Sequence, residues 1–354
     1  MLARLLRRVL LVHCLLAAAL AGALRGATAE GLVLGCVLAL ALPFASTVLA
    51  IAYTAVVSRP GESEPESFLP VPERRVKTPR TETQSTAIAQ AMARICNDEP
   101  GCFGVQGGHR QKTLRLSLRA WWRALLGEAW AACVVFLLRQ PWSWSPPAVQ
   151  AACGTGPQRI AVVLVHGYLC NHRLWDTVAR ALTARGHAVL AVNLEPVFTS
   201  IDHYAATVED AVQQLRRHTG QRQVALVGHS MGGLAIRAWL RQYGMATAAR
   251  AITLGTPHAG TQVPQHLPTP NGRQMAWHSP WLAALQASES PAQHALFETA
   301  LSAHDNIVYP QRAQVLPGVP ATVFEGMGHL QMCLHPAVIA WLVQKLDAVD
   351  ASTP

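Results

Sequence analysis

The sequence has little of what marks metal, redox and nucleic-acid-binding proteins. Its eight cysteines are scattered, form no C-x-x-C pair and make no cluster with histidines at the spacing of a zinc site. We therefore predict neither a metal nor a cofactor. Cys96 and Cys102 could form a disulfide in an oxidising compartment, whereas unpaired thiols in a reducing one are the simpler interpretation. No motif interleaves aromatic and basic residues, so nucleic acid is not an expected partner.

Charge is also scarce, and it is unevenly distributed. Charged residues make up 14% of the chain and its formal net charge is +9. Residues 1–150 contain 16 Lys and Arg against 9 Asp and Glu, while residues 151–354 contain 13 against 11. The positive excess therefore lies beside the N-terminal hydrophobic segments, where it suits anionic lipid better than nucleic acid.

Long hydrophobic runs are what the N-terminus does contain. Val9–Leu24 is apolar apart from His13, and Gly31–Val57 has no charge over 27 residues. The second run is long enough to span a bilayer, which needs about 20 residues. The first is either a short membrane helix or a signal peptide, with the small residues 27–29 as its cleavage site. Residues 1–57 are thus predicted to be membrane-anchor helices, as a hairpin or as a signal plus an anchor.

A basic cluster follows the second run and predicts its orientation. Its members are Arg59, Arg74, Arg75, Lys77 and Arg80. Because positively charged loops stay on the cytoplasmic side, we predict a membrane protein whose C-terminal domain is cytoplasmic.

A third hydrophobic stretch, residues 114–138, has more than one interpretation. Three arginines form a basic stripe at helical spacing, and three tryptophans supply interfacial anchors: Arg115, Arg119, Arg123, Trp121, Trp122 and Trp130. The uninterrupted apolar part is short and contains Glu128, which favours a helix lying on the membrane surface. The alternative is a helix packed on the C-terminal domain. If the stretch spans the membrane, that domain lies on the outer side.

Composition divides the rest of the chain. Residues 58–85, rich in Pro, Glu and Arg, are predicted to be an exposed linker, and the prolines of residues 140–157 predict a second one. Residues 86–157 form a helical, basic and Trp-rich region close to the membrane. The remaining residues, 158–354, are predicted to be one α/β domain.

Strand-like and helix-like segments alternate from residue 159 onward, which is typical of a parallel sheet with helices on both faces. The predicted strands cover residues 160–165, 188–193, 224–227, 251–254, 295–301 and 321–325. The candidate functional residues all follow the carboxyl end of a strand. That edge is where open α/β sheets bind ligands.

The segment VALVGHSMGGLAIRAWL, from Val224 to Leu240, puts Ser230 between a buried strand and a helix. A serine on so sharp a turn takes strained dihedrals, and Gly228 and Gly232 leave room for it in the pattern G-x-S-x-G. The turn exposes the hydroxyl at the sheet edge, beside the positive end of the helix. Ser230 is therefore a candidate nucleophile.

A serine nucleophile needs a base and a carboxylate that holds the base in the right tautomer. His329, in EGMGHLQM, follows the last predicted strand, and Asp305, in SAHDNIV, follows the preceding one. Ser, Asp, His is also the chain order of triads built on a G-x-S-x-G turn. Three other histidines lie inside turn motifs, so we assign them structural or substrate-lining roles: His166, His229 and His258.

The attacked carbonyl needs N–H donors for its developing oxyanion, each worth about 3 kcal/mol. The backbone N–H of Met231, directly after the nucleophile, is one candidate. Tyr168, which follows His166 and Gly167 after the first strand of the domain, is placed to give the other. The Tyr168 side chain could also line the acyl pocket.

Residues 159–348 resemble the lipases and esterases of the α/β-hydrolase fold, in particular the bacterial triacylglycerol lipases with a short cap. The resemblance rests on five motifs in order: VVLVHGY from Val162, GHSMGG from Gly228, TLGTPHAGT from Thr253, SAHDNIV from Ser302 and GMGHL from Gly326. It implies Ser230 as nucleophile, with Asp305 and His329 as its triad partners. It also implies an oxyanion hole made by the Tyr168 and Met231 amides, and a motif-supporting role for His166, Gly167, Gly228, His229 and Gly232. Some of these lipases carry structural calcium, but no ligands for it are identifiable in this sequence.

The segment between Gly260 and Ser290 is rich in Pro and polar residues and then becomes apolar. In a hydrolase such a segment is either a small lid over the site or an ordinary crossover connection.

The function that fits these features best is a membrane-associated serine hydrolase that cleaves lipid-like acyl esters through an acyl-enzyme. An acyltransferase or thioesterase would use the same three residues, and a membrane protein without catalysis is a further alternative. The expected partners are the lipid or acyl-ester substrate and the membrane. Nothing in the sequence predicts an oligomeric state.

Overall fold

The computed structural model describes residues 1–25, 28–57, 110–153, 159–263 and 268–352. The predicted linker at 58–85, with its basic cluster, lies outside the described residues. So do Cys96, Cys102, Ala27 of the predicted cleavage site and the side chain of Arg115.

Six parallel strands form one sheet in the C-terminal part of the chain. They are β1 (Arg159–Val165), β2 (His187–Ala191), β3 (Val224–His229), β4 (Ala248–Leu254), β5 (Phe297–Ser302) and β6 (Ala321–Phe324). Their order across the sheet is β2-β1-β3-β4-β5-β6. Because the chain leaves β1 toward one side and returns to the other side for β3, the strand order reverses there and opens a crevice at the carboxyl ends. All the predicted strands are present, with bounds that differ by one to three residues.

Helices flank this sheet and also precede it. In the described part of the chain the α-helices are α1 (Leu2–Arg25), α2 (Ala29–Val57), α3 (Arg110–Ala132), α4 (Asp176–Ala184), α5 (Tyr204–Thr219), α6 (Met231–Tyr243), α7 (Pro270–Met275), α8 (Pro280–Ala287), α9 (Pro291–His294) and α10 (Pro336–Ser352). The predicted combination of a parallel sheet, flanking helices and N-terminal apolar helices is confirmed.

The sheet side chains alternate between two apolar cores, one on each face. Ala161, Val163 and Val165 belong to the core that α5 and α6 cover. Val162 and Leu164 belong to the other core, which α4 and α10 cover. This alternation explains why β1 is a continuous apolar run, since a strand buried on both faces needs apolar residues at every position.

The segment between β4 and β5 folds into three short helices. Each starts at a proline that is preceded by a Thr or Ser whose side chain accepts a backbone N–H of the first turn: Thr269, Ser279 and Ser290. Proline at the first helical position is favoured because its missing N–H has no partner there anyway. The amide of Asn271 in α7 donates to the Val197 carbonyl at 2.8 Å and is buried. Residues 264–267 lie outside the description, and the choice between lid and crossover stays a prediction.

Within the described ranges, three helical stretches are long and apolar enough to cross a membrane, by length and composition only. They are Leu2–Leu24, Val33–Thr54 and Arg119–Trp142. α1 packs against α2, and the hydroxyl of Thr54 near the end of α2 accepts a hydrogen bond from the Asn306 amide at 2.9 Å. On α1, the Arg7 guanidinium lies over the Trp144 ring, 4.1 Å from its centroid.

The third stretch packs on the domain that contains the sheet. α3 continues as a π-helix, Cys133–Arg139, and a 3-10 turn, Gln140–Trp142. In this stretch 39% of the residues are buried, against 11% and 12% for the first two. Glu128 is 1% exposed, so it does not lie on a polar face in water as expected for a surface helix. The alternative of a helix packed on the C-terminal domain describes this stretch better, and we treat it as part of that domain.

The Pro-rich segment after α3 is irregular and mostly half-buried or exposed, as a linker would be, but it is fixed to the domain at two points. Gln140 is fully buried, and Gln150 forms an antiparallel bridge with Val189 of β2. Both backbone hydrogen bonds of that bridge are present, at 2.8 and 2.9 Å. The segment therefore extends over the outer side of β2, where an unpaired strand edge offers backbone donors and acceptors.

Candidate active site

Ser230 occupies the turn between β3 and α6 in a strained conformation. Its φ is 55° and its ψ −129°, in a region that favours glycine. Its backbone N–H donates to the Leu254 carbonyl of β4 at 2.9 Å, which fixes the turn to the sheet. The strain is thus maintained by the neighbouring strand.

The glycines around Ser230 are required by close backbone contacts. A Cβ on Gly228 would lie 2.6 Å from the Gly233 nitrogen, and a Cβ on Gly232 would overlap the Val165 carbonyl oxygen. A Cβ on Gly167 would lie 2.7 Å from the Ser230 Cβ. The pattern G-x-S-x-G therefore reflects the space available, and the loop after β1 passes directly beside the serine.

His329 and Asp305 form a buried pair at the same edge of the sheet. The Nδ1 of His329 lies 2.7 Å from Oδ2 of Asp305, and both residues are at most 3% exposed. The other carboxylate oxygen, Oδ1, accepts the backbone N–H groups of Ile307 and Val308 at 2.8 and 2.7 Å. Asp305 is thus held on one side by its own loop and presents its second oxygen to the imidazole.

The loops after β3, β4 and β6 bring His229 and Gly255 into contact with His329. His229, which precedes Ser230, stacks near His329 with ring centroids 4.5 Å apart, and its Nε2 lies 3.1 Å from the His329 carbonyl oxygen. Gly255, after β4, makes room for the imidazole, because a Cβ there would lie 3.2 Å from Nδ1 of His329. The predicted serine, histidine and aspartate are therefore assembled at one sheet edge from distant parts of the sequence.

The electrostatic surroundings favour a protonated His329. Burial alone would lower the pKa of its imidazole, but the charge of Asp305, the hydrogen bond with Asp305 and the charge of Glu128 outweigh burial and raise this pKa. A base with this environment accepts a proton readily.

The two expected oxyanion donors belong to Met231, which follows Ser230 in sequence, and to Tyr168, in the loop after β1. Met231 is the first residue of α6, where N–H groups have no partner within the helix. Tyr168 follows Gly167 in the loop that contacts the serine, and its ring lies 6.0 Å from that of Phe198, which is 42% exposed. An aromatic pair thus borders the site beside the expected oxyanion hole.

The other candidate histidines are built into the scaffold. Nε2 of His166 accepts the Leu194 N–H at 3.0 Å, so its Nδ1 donates to the Gly167 carbonyl at 2.8 Å, and burial lowers its pKa to about 4. Burial, followed by the charge of His329, lowers the pKa of His229. Burial and then Arg237 do the same for His258, whose Nε2 lies 3.1 Å from the Thr253 hydroxyl. These lowered pKa values favour the neutral form of all three imidazoles.

Sequence reasoning missed the role of Glu128. Its Oε1 accepts the Leu330 N–H and its Oε2 accepts the Gln331 N–H, both at 2.9 Å. Burial raises its pKa to about 7, although His329 and the two amides lower it. The only signal was an acidic residue within an apolar helix, which does not identify the loop that the residue contacts.

Asn306 was missed as well. Its Oδ1 accepts the His329 backbone N–H at 3.3 Å, and its Nδ2 donates to Thr54 of α2. Its place beside Asp305 in sequence was the only indication of a role.

Among the described residues there is no group of three His, Cys, Asp or Glu side chains arranged to hold a metal ion.

Comparison with known proteins agrees with the fold described above for the C-terminal part of the chain. Residues 160–307 match the family described as having the alpha/beta hydrolase fold. A triacylglycerol lipase of Burkholderia plantarii is 32% identical over 125 residues, which are 33% of this chain and 34% of the lipase. A triacylglycerol lipase of Pseudarthrobacter phenanthrenivorans is 32% identical over 113 residues, or 29% of this chain and 35% of that protein. The chain thus spans about a third of the length of the curated relatives it matches.

Among solved structures, the mature form of the Bacillus licheniformis lipase BlEst2 superposes with a TM-score of 0.50 at 16% identity. The match covers 57% of this chain and 99% of that lipase, and at this identity it shows a shared fold. The family match begins at residue 160, so α1, α2 and α3 precede it.

Proposed function

We propose that this chain, whose residues 160–307 match the α/β-hydrolase fold family, is a membrane-associated serine hydrolase of the lipase and esterase group that cleaves lipid-like acyl esters. The observation that carries the proposal is the buried hydrogen bond between His329 and Asp305, beside a serine with φ 55°. This combination matches what a serine nucleophile requires, namely a base and a carboxylate that orients the base.

In the proposed reaction, the Ser230 hydroxyl attacks the ester carbonyl while Nε2 of His329 takes its proton. Asp305 keeps the Nδ1 proton of His329 in place and stabilises the imidazolium. The N–H groups of Tyr168 and Met231 donate to the oxyanion. His329 then gives its proton to the leaving alcohol, and the acyl group stays on Ser230. A water molecule then attacks the acyl carbonyl while His329 takes one of its protons; the bond to Ser230 breaks, the acid leaves, and His329 returns that proton to the serine oxygen.

The exposed apolar surface of α1 and α2 supports the proposal that the substrates reside in a membrane. Their exposed apolar residues include Leu15, Leu16, Val37 and Leu49, at 55% or more of their surface. Thr54 at the end of α2 bonds to Asn306, next to Asp305. In our proposal α1 and α2 anchor the protein in a bacterial inner membrane, with the site-bearing edge of a cytoplasmic domain close to the bilayer.

The chemistry is tested on the full chain in detergent micelles with p-nitrophenyl esters of increasing acyl length and with a fluorophosphonate probe. We expect wild type to hydrolyse esters and to be labelled, and Ser230→Ala to lose both, by about 10⁶-fold in rate. Ser288→Ala, which alters an exposed serine at the end of α8, should behave as wild type. A wild-type protein that cleaves no ester and takes no label would disprove the proposal.

Hydrolysis is distinguished from acyl transfer by its products. With competing alcohols present, hydrolysis gives free acid, whereas a transferase gives a new ester. The membrane orientation is tested by labelling single cysteines introduced near residue 28 from either side of spheroplasts. Our proposal predicts labelling of this position from outside only.

A further inference from the structure

Glu128 connects α3 to the loop that bears His329. Its two carboxylate oxygens each accept one backbone N–H, from Leu330 and from Gln331, at 2.9 Å. These are the two residues directly after His329, at the start of the 3-10 turn Leu330–Cys333. A single side chain thus fixes the backbone from which the imidazole projects.

Glycines on both sides allow this close approach. A Cβ on Gly328 would lie 2.5 Å from the Cβ and Oε2 of Glu128, and a Cβ on Gly127 would overlap the amide of Gln331. The Gln331 side chain bends back and its Oε1 accepts the Gly328 N–H at 3.1 Å. One turn earlier on α3, the guanidinium of Arg123 is next to Gly326. The whole loop from Gly326 to Gln331 is therefore fitted against α3.

The carboxylate is also electrostatically coupled to the catalytic pair. Glu128 is 1% exposed, and its charge acts on His329 with the same sign as that of Asp305. The titratable groups that face it are His329, Asp305 and the buried thiols Cys170 and Cys333. In this poorly solvated surrounding a negative charge stabilises an imidazolium more than it would in water.

We propose that Glu128 is a positioning residue of the hydrolase site: it holds the His329 loop through two amides and stabilises the protonated histidine. This inference rests on the proposed function. α3 is then a part of the active site that lies outside the residues matched by the family, and the hydrolase domain depends on it for the placement of its base.

The test uses the full chain and compares Glu128→Gln and Glu128→Ala with wild type. The glutamine keeps one oxygen acceptor and loses the charge, and alanine leaves both amides without a partner. Because an error of about 1 Å at a catalytic group can reduce the rate by about 100-fold, we expect kcat to fall about 10-fold for Gln and about 100-fold for Ala. KM should stay within about two-fold, since neither change touches the acyl pocket.

The pH profile gives a readout that a purely structural role would not change. Glu128 raises the pKa of His329, so its loss lowers that pKa. Hydrolysis needs neutral His329, and the acidic limb of kcat/KM in Glu128→Gln should therefore move to lower pH. The drop in kcat is measured at pH 8, where the Glu128 carboxylate is ionised in wild type.

Glu209→Gln is the matched control. Glu209 also accepts hydrogen bonds from neutral donors, the Trp239 indole and the Gln213 amide, but on the opposite face of the sheet. Its substitution should lower the thermal midpoint without moving the acidic limb.

Gly328→Ala disturbs the same contact from the loop side, because its Cβ would crowd Glu128. Its kcat should resemble that of Glu128→Gln. If Glu128→Ala does not fold, Glu128→Gln and Gly328→Ala decide the question. Wild-type kcat and an unchanged acidic limb in Glu128→Gln would overturn the inference. Failure of the proposed function is seen separately, as wild type without hydrolysis or probe labelling.

Discussion

The N-terminal helices and the sheet domain have similar apolar character but opposite exposure. In the sheet domain, apolar side chains such as Val163, Leu226 and Trp239 are completely buried. In α1 and α2, Leu15 is 61% exposed and Leu49 is 74% exposed. The same residue types therefore build a core in one region and an outward surface in the other, because a sheet supplies a second layer to pack against and a pair of helices does not. Hydrophobicity predicts which segments avoid water, but it does not predict what their side chains contact.

The largest expected effect is a loss of catalytic rate in the sheet domain that leaves membrane anchoring unchanged. Asp305→Asn removes the charge that orients and stabilises His329, and kcat should fall by about 10⁴-fold while membrane association stays unchanged. Because Asp305 raises the pKa of His329, the residual activity should have its acidic limb at lower pH than in wild type. Measurement of kcat/KM from pH 5 to 9 checks both.

Asp176→Asn is the control for this change, since Asp176 pairs with Arg173 in the adjacent turn at the start of α4. Loss of activity in both variants would show that the effect is not specific to the histidine pair.

A smaller effect is expected from overfilling the turn at Ser230. Gly232→Ala puts a Cβ into the Val165 carbonyl oxygen, a backbone atom that cannot move aside. Overpacking of this kind costs about 3 kcal/mol, so chemical denaturation should give a clearly reduced free energy of unfolding. Gly220→Ala, at φ 72° with open space around it, should cost only about 1 kcal/mol, from backbone strain. Equal losses in the two variants would contradict the crowding at β1.

The smallest expected effect concerns the outward surface of α2. Phe44 is 49% exposed near the middle of the second apolar stretch. If this helix lies in a bilayer, Phe44→Lys costs about 3 kcal/mol and should increase the fraction of protein released by carbonate extraction. Phe44→Leu should stay in the membrane. Ester hydrolysis in detergent should be the same for both, since Phe44 belongs to neither apolar core. Equal retention of the Lys variant would disfavour a membrane-embedded α2.

The sheet could be predicted from sequence because most of its strands are short, apolar runs between turn residues, although β4 and β5 also contain Arg250 and Glu298. The turn at Ser230 could be predicted because its glycines are needed by local backbone contacts, all of which lie within β3, α6 and the neighbouring β1. The predicted roles of Ser230, Asp305 and His329 depend on chain order and on strand ends, and they remain predictions until the variants above are measured.

Long-range contacts could not be predicted in the same way. The bonds from Glu128 to Leu330 and Gln331 join residues about two hundred positions apart, and no periodicity in α3 specifies them. The bridge between Gln150 and Val189 could not be predicted, because prolines indicate irregular backbone whether a segment is free or packed. In both cases the hydrogen-bond partner lies far away in sequence, and only the folded structure identifies it.

The contact between α3 and the His329 loop also determines at which residue the proposed hydrolase unit begins. A fragment from Arg159 to Ser352 would keep Ser230, Asp305 and His329 but would leave the Leu330 and Gln331 amides without their acceptor. Each orphaned amide costs about 1–3 kcal/mol if it stays buried, and the loop would relax toward water instead. The smallest unit that can be transplanted, expressed alone or compared between species is therefore defined by α3 rather than by the first strand of the sheet.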